Sequence, residues 1–361
     1  MSRIFNFSAG PCTLPLPALE EAAAEFVDFQ GKGMSLIEMS HRSKEYDAVH
    51  NEAMSLIAEL LGVPSNYKVL FIGGGATMQF GMIPLNFLPK GKAADYTVTG
   101  AWAKKAYQDA CKVGDINVIW DGKDASYLDL PDPATVKVNA DAAYVHITSN
   151  ETIGGVQWKS FPNAGGVPMI CDMSSDFMSR KVPVEDFAMI YAGAQKNAGP
   201  AGVAIVILRE DMVERCSGDL PAYLSYPIHY KKDSLYNTPP VFPIYMVGKT
   251  MKWLKDQGGL AAAEKMAADR AGLIYGAMAK NDGFYTCPVP EHCRSHMNIV
   301  FRMPSEDLEK AFVAEALANG MSGLKGHRDV GGCRASVYNA MPIEGAQALA
   351  NLMDEFAAKN G

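Results

Sequence analysis

The sequence has no run of lysine and arginine, and its 33 basic residues are outnumbered by 40 acidic ones, for a net charge of −7. That removes the electrostatic footprint of a nucleic-acid binder. No C-x-x-C pair occurs. The seven cysteines stand dispersed at 12, 111, 171, 216, 287, 293 and 333, which argues against a disulfide framework and for a reducing compartment. His292-Cys293, downstream of Cys287, matches no zinc spacing and reads as surface loop, so no metal is expected. No apolar stretch is long enough to span a bilayer and no signal peptide is visible. A soluble, cytoplasmic protein with neither membrane nor nucleic-acid partner is expected. Internal repeats and low-complexity tracts are absent as well.

What is present is a chain of 361 residues with ordinary globular composition, long enough for a large core and more than one domain. Its centre is Tyr191-Ala-Gly-Ala-Gln-Lys-Asn-Ala-Gly-Pro-Ala-Gly202. Apolar runs Phe187–Tyr191 and Val203–Leu208 flank this segment and read as buried strands. Lys196 sits between them among small residues that let another molecule approach the backbone. In an apolar pocket such a lysine has a lowered pKa and can form a Schiff base. An exposed loop lysine is the other reading, and this stretch alone leaves both open. No G-x-x-x-x-G-K-[ST] is present, so the lysine is not that of a P-loop.

Along the chain, Asn6-Phe-Ser-Ala-Gly-Pro11 reads as an extended arm before a helix over about 18–30. Ser40-His-Arg-Ser-Lys44 precedes a second helix and is either solvated charge or an anion clamp. Val69–Ile72 is a strand that runs into Gly73-Gly-Gly-Ala-Thr77 and then a helix. Three glycines, a helix N-terminus and a hydroxyl make an anion site, favoured over a flexible turn; the pattern is not G-x-G-x-x-G. Further strands are read at 96–99, 116–120, 143–148 and 168–171, each ending in small or polar residues. The pattern is that of a mostly parallel α/β sheet with ligand groups at the strand ends. Asp172, just past a buried run, is either a helix cap or the partner of a buried cation. The Pro/Tyr-rich stretch 220–243 reads as an ordered excursion. Helices follow at about 244–256 and 259–280. A strand at 298–301, a helix at 307–318, a loop at 323–328, a strand at 334–337 and a helix at 344–358 suggest a smaller α+β unit. The expected domains are 16–258 (large) and 259–361 (small), with arm 1–15 packed on the latter.

Lys196, Asp172, Trp102, Thr152 and the 73–77 loop make sense around one molecule. Pyridoxal phosphate needs a lysine for its aldehyde, an anion for its ring nitrogen, a flat partner and phosphate donors. Taken singly, Trp102 has ordinary core as its alternative, and Thr152 a turn position.

The motifs Ser40-His-Arg42, Gly100-Ala-Trp102, Asn150-Glu-Thr-Ile153, Cys171-Asp-Met-Ser-Ser175, Gln195-Lys196, Tyr236-Asn-Thr-Pro239 and Gly331 to Met341 resemble the phosphoserine-converting branch of the class V aminotransferases. These are fold-type-I pyridoxal phosphate enzymes, and the likeness covers essentially the whole chain. The resemblance implies a large domain with a mixed, mostly parallel sheet and a smaller C-terminal α+β domain. It implies pyridoxal 5′-phosphate as cofactor, with Lys196 as the Schiff-base lysine and Asp172 at the ring nitrogen. It also places Ala76, Thr77 and Gln195 at the phosphate, Trp102 on the ring and Thr152 at the phenolic oxygen. It implies a homodimer with shared sites, in which Asn237 and Thr238 reach the other subunit's cofactor. Arg334 would take the substrate α-carboxylate. His41, Arg42, His327 and Arg328 would receive the distal anion, the first pair crossing from the partner. The implied substrates are glutamate, 2-oxoglutarate, phosphoserine and 3-phosphohydroxypyruvate, in a ping-pong transamination serving serine biosynthesis. Two Arg–His pairs suit a site that must accept both a phosphate ester and a carboxylate.

Two positions depart from the pattern: Thr77 stands where some members carry arginine, and Ala9 where some carry serine. Three other readings compete: a cysteine desulfurase-like lyase using Cys333, an alanine–glyoxylate-type transaminase, and a non-enzymatic phosphate-ligand binder.

Overall fold

The computed structural model describes residues 3–216, 218–328 and 330–361. Its organising element is a seven-stranded sheet. In chain order the strands are β1 (Tyr67–Gly73), β2 (Ala93–Val98), β3 (Asp115–Asp121), β4 (Val145–Thr148), β5 (Met169–Asp172), β6 (Met189–Gly193) and β7 (Val203–Arg209). Their order across the sheet is β1-β7-β6-β5-β4-β2-β3. Only β7 runs against its neighbours; the pairings from β6 to β3 are all parallel. Val203 to Leu208 are buried without exception. A strand covered on both faces reads as a continuous apolar run rather than an alternating one, and burying each such Ile or Leu contributes roughly 1.5–3 kcal/mol.

Because β7 is reversed, the connection holding Lys196 leaves β6 and returns along its neighbour at one edge of the sheet. At that edge lie the carboxyl ends of β1, β2, β4, β5 and β6, with Asp172 level with Thr148 and Tyr191. This is where open α/β sheets collect ligand groups. Helices cover both faces: α1 (Leu16–Glu25), α2 (Lys44–Leu61), α3 (Ala76–Phe87), α4 (Ala101–Ala110), α5 (Val241–Asp256) and α6 (Gly259–Lys280). Among the described residues no helix is long and apolar enough to cross a membrane.

The first helix is shorter than its apolar pattern predicts. It ends at Glu25, and Phe29–Gly31 forms a separate 3₁₀ turn in which Gln30 adopts φ 52°. Phe29 is buried beside Tyr245 all the same, so its position in the apolar pattern is satisfied by a bent chain.

A second apolar cluster gathers Phe301, Phe312, Ala335, Leu349 and Phe356. It lies around the antiparallel pair β8 (Asn298–Phe301) and β9 (Cys333–Ser336) and helices α7 (Glu306–Ala318) and α8 (Ile343–Asn360). Phe5–Asn6 pairs in parallel with Met321–Ser322, and Phe7 is buried in this cluster. Helix α6 touches both cores. Leu260 and Ala263 pack with the sheet, whereas Ala271, Ile274, Ala277 and Met278 belong to the second cluster.

Candidate active site

At the carboxyl edge of the sheet lies a cavity of about 320 Å³ lined by Ala9, Gly10, Gly75, Ala76, Thr77, Trp102, Thr152, Ile153, Asp172, Ser174, Gln195, Lys196, His327 and Arg334. Each comes from an element whose local sequence explains its place. Gly74 takes φ 100°, which turns β1 sharply into α3. The first turn of α3 then faces the cavity with amides that helix geometry leaves without intrahelical partners.

Lys196 shows part of its surface to the cavity, while its amine is walled off from bulk water. Nζ donates to Thr152 Oγ1 at 2.5 Å and stands 5.1 Å from the centre of the Trp102 ring. Desolvation lowers its pKa, opposed by the negative charges of Asp172 and Glu151 and reinforced by Arg334. This is the direction that frees a lysine to act as nucleophile and base.

Asp172 is buried, and Ser174 donates to its Oδ1 twice, from N at 2.8 Å and from Oγ at 2.6 Å. Ser174 Oγ in turn accepts from Gly193 N at 3.0 Å, which ties the carboxylate to β6. Both Ser174 bonds reach Oδ1, so Oδ2 is the oxygen left for a ligand. Burial raises the Asp172 pKa, opposed first by Lys196 and then by Ser174. Arg334, on β9, reaches Thr152 O from one guanidinium nitrogen at 3.4 Å. Its buried Nε, like Trp102 Nε1, has no hydrogen-bond partner.

A buried lysine, an acidic group with a spare oxygen, an indole face, a helix N-terminus and orphaned donors fit an aromatic aldehyde that carries a phosphate. The fit rests on the donor set.

The structure therefore brings Ala76, Thr77, Trp102, Thr152, Asp172, Gln195, Lys196, His327 and Arg334 to one cavity. Arg328 lies on a neighbouring cavity of about 620 Å³ that shares His327 on its wall. His41, Arg42, Asn237 and Thr238 do not line the first cavity within this chain. His41 is half-buried, and Arg42, Asn237 and Thr238 are exposed. Cys333 is buried in β9, outside the cavity lining, and burial pushes its thiol up to about 12.

Sequence reasoning assigned no role to Ser174. Its signal was nonetheless present, because a serine two residues after an aspartate at a strand end forms a side-chain-to-backbone turn. Away from the cavity, His292 Nε2 lies 3.1 Å from Asp129 Oδ1, with the Cys293 sulfur close by. The first two are within hydrogen-bonding distance of each other, and burial keeps the Cys293 thiol protonated, its pKa pushed up to about 12.

The profile of aminotransferase class V matches residues 4–349, and the chain belongs to that family. The curated relatives are more specific. A phosphoserine aminotransferase from Geobacillus kaustophilus is 51% identical over 356 residues, covering 99% of both chains. The solved phosphoserine aminotransferase from Bacillus circulans subsp. alkalophilus is similar at 51% identity and a TM-score of 0.98, again covering 99% of each chain. A second solved phosphoserine aminotransferase, studied for radiation damage to its Schiff base, is 45% identical with a TM-score of 0.97 and covers 99% of this chain and 100% of its own.

Proposed function

We infer that the chain is a pyridoxal 5′-phosphate-dependent aminotransferase that moves the amino group of glutamate to 3-phosphohydroxypyruvate, yielding phosphoserine and 2-oxoglutarate for serine biosynthesis. The observation that carries this reading is the desolvated Lys196 amine held between Thr152 and the Trp102 ring, beside the buried carboxyl of Asp172. Full-length similarity to phosphoserine aminotransferases supports the choice of substrate.

When bound, the cofactor supplies an aldehyde that links to amines and a ring that draws electron density from the substrate's Cα. The protein does the rest. Lys196 would hold the cofactor through its amine and, when that amine is free, would serve as the base and acid that moves the substrate's Cα proton. Asp172 would hold a proton on the cofactor's ring nitrogen, Trp102 would flank the ring and Thr152 would donate to its phenolic oxygen. Ala76, Thr77 and Gln195 would receive its phosphate.

Arg334 takes the α-carboxylate of either substrate. Its fork geometry predicts that Arg334→Lys raises KM for both glutamate and phosphoserine by about 10- to 100-fold, with a smaller change in kcat, because a charge-assisted bidentate contact contributes roughly 1.5–3 kcal/mol. Steady-state kinetics with each substrate would show it, and an unchanged KM would remove Arg334 from the site.

We place His327 and Arg328 at the distal anion, joined by the partner subunit's His41 and the partner subunit's Arg42. The partner subunit's Asn237 and the partner subunit's Thr238 complete the phosphate site. Exposure of Arg42, Asn237 and Thr238 within a single chain supports a shared homodimeric site. Mixing Lys196→Ala and Arg42→Glu proteins, each nearly inactive alone, is then expected to restore about a quarter of wild-type activity. Half the dimers are hybrids, and each hybrid has one intact site. No recovery after subunit exchange would place Arg42 outside a shared site.

We assign residues 16–258 to a large cofactor-binding domain and 259–361 to a small one, with arm 1–15 on the latter. The separate apolar clusters and the burial of Phe7 support the division. A cytoplasmic location suits the dispersed free cysteines.

The decisive test is a half-reaction. Glutamate or phosphoserine added to the purified holoprotein should shift the cofactor's absorbance and release one equivalent of the matching keto acid. A phosphate-ligand binder would show neither change.

A further inference from the structure

Glu151 is 1% exposed, yet it is a carboxylate bonded to the backbone of Trp102 and within reach of the Lys196 charge, and neither the cofactor nor the substrate contacts involve it. It precedes Thr152, and its backbone is fixed by pairing with Val156 and by Gly155 N donating to Glu151 O at 2.8 Å. Its side chain reaches the start of α4. Oε2 accepts from Trp102 N at 3.0 Å and Oε1 from Ala103 N at 2.8 Å. The residue that would ordinarily cap this helix is Gly100, which has no side chain to do so. A Cβ on Gly100 would lie 2.4 Å from Glu151 Cδ. The cap is therefore borrowed from another segment, and the glycine leaves the room it occupies.

We propose that Glu151 is a positioning residue whose carboxylate, by capping α4, holds the Trp102 indole over the cofactor site beside Lys196. This rests on the reading of Trp102 as the cofactor's ring partner. A carboxylate bonded to two helix-terminal amides fixes both the rotation and the depth of the first turn. Thr152, the next residue, is held to Lys196 by its own hydroxyl, so one short segment sets both walls of the pocket.

The charged groups facing Glu151 are Asp172, from the end of β5, and Lys196, from the turn after β6; Thr99 Oγ1 approaches Oε1 from the end of β2 at 3.5 Å. Burial, with a smaller contribution from Asp172, pushes its carboxyl up to about 7 against the pull of the two amides and Lys196. Protonation puts a hydrogen on one oxygen and removes an acceptor from one amide, so the grip on Trp102 weakens on the acid side of neutrality.

The test is the equilibrium affinity of the refolded apoprotein for pyridoxal phosphate, followed by quenching of tryptophan fluorescence as a function of pH. Wild type is expected to lose about tenfold in affinity as pH falls through neutrality. Glu151→Gln keeps the shape but offers one acceptor in place of two. It should bind about tenfold more weakly at alkaline pH, with the step near neutrality gone.

Gly100→Ala, which evicts the same carboxylate, should reproduce the loss. It should add nothing in a Glu151→Ala background, the non-additivity expected of two changes acting through one contact. Trp102→Ala separates the two levels of the argument. If it leaves affinity unchanged, the ring-partner reading falls. If it weakens binding while Glu151→Gln and Gly100→Ala both keep wild-type affinity and pH dependence, the positioning role is overturned. Should Glu151→Gln fail to fold, Gly100→Ala decides alone on the same criteria.

Discussion

Lys196→Ala is expected to lower kcat by about four orders of magnitude or more, with the fold intact. In the proposed mechanism one side chain performs two tasks, nucleophile and proton shuttle, and a positioned general base alone contributes typically 10²- to 10⁴-fold. Thr152 Oγ1 is the amine's only protein hydrogen-bond partner among the described residues, so truncation leaves one small vacancy in an already open cavity. The variant should also change its neighbours. The lysine charge lowers the pKa of both Asp172 and Glu151. Without it, both carboxyls stay protonated to higher pH.

The sign of the stability effect follows from that shift. A carboxyl whose pKa is raised on folding binds more protons in the native state, so stability falls as pH climbs from the unfolded value through the folded one. In Lys196→Ala that decline extends to higher pH than in wild type. Urea titrations of the two apoproteins across this range, read beside single-turnover assays, check both halves. Turnover within tenfold of wild type would remove Lys196 from the chemistry.

The parts of this site legible in the sequence are those carried by the ends of apolar runs. Val203 to Leu208 and the run ending at Tyr191 had to be buried strands, and a lysine between them had to sit at a sheet edge. Asp172 followed a buried run for the same reason. Gly73 to Thr77 announced a strand turning into a helix, because three consecutive glycines serve neither element's interior. The bend after Glu25 was not legible, since Phe26 and Phe29 continue a helical apolar pattern that the backbone abandons. Glu151 was hidden differently. A glutamate is by default a solvated residue, and only the fold shows that two amides of α4 point at it. Nothing in one chain's pattern says what Arg42 or Asn237 meets, because the role proposed for them lies against a second copy.

Asp172→Asn separates catalysis from stability. The variant is expected to lower kcat by about a thousandfold while changing the stability of the apoprotein by no more than about 1 kcal/mol. The shape is kept, and Oδ1 still accepts from Ser174 N and Oγ at 2.8 and 2.6 Å. What disappears is a negative charge buried at a cost, as the upward displacement of its pKa shows. The apoprotein therefore loses little, because the desolvation penalty offsets the attraction to Lys196.

Catalysis loses much more. In the role proposed for Asp172 an anion would keep the cofactor's ring nitrogen protonated, and a neutral amide in its place would leave the ring a poor acceptor of the electrons released at Cα. The two effects also differ in their pH behaviour. Wild-type apoprotein loses stability as pH rises from the unfolded aspartate value toward the raised native one, and the variant lacks that contribution. Parallel denaturant midpoints, together with the rate of the glutamate half-reaction, would read both. A stability loss of several kcal/mol alongside near-normal turnover would reverse the assignment, making Asp172 a structural carboxylate whose charge the sheet edge needs and the chemistry does not.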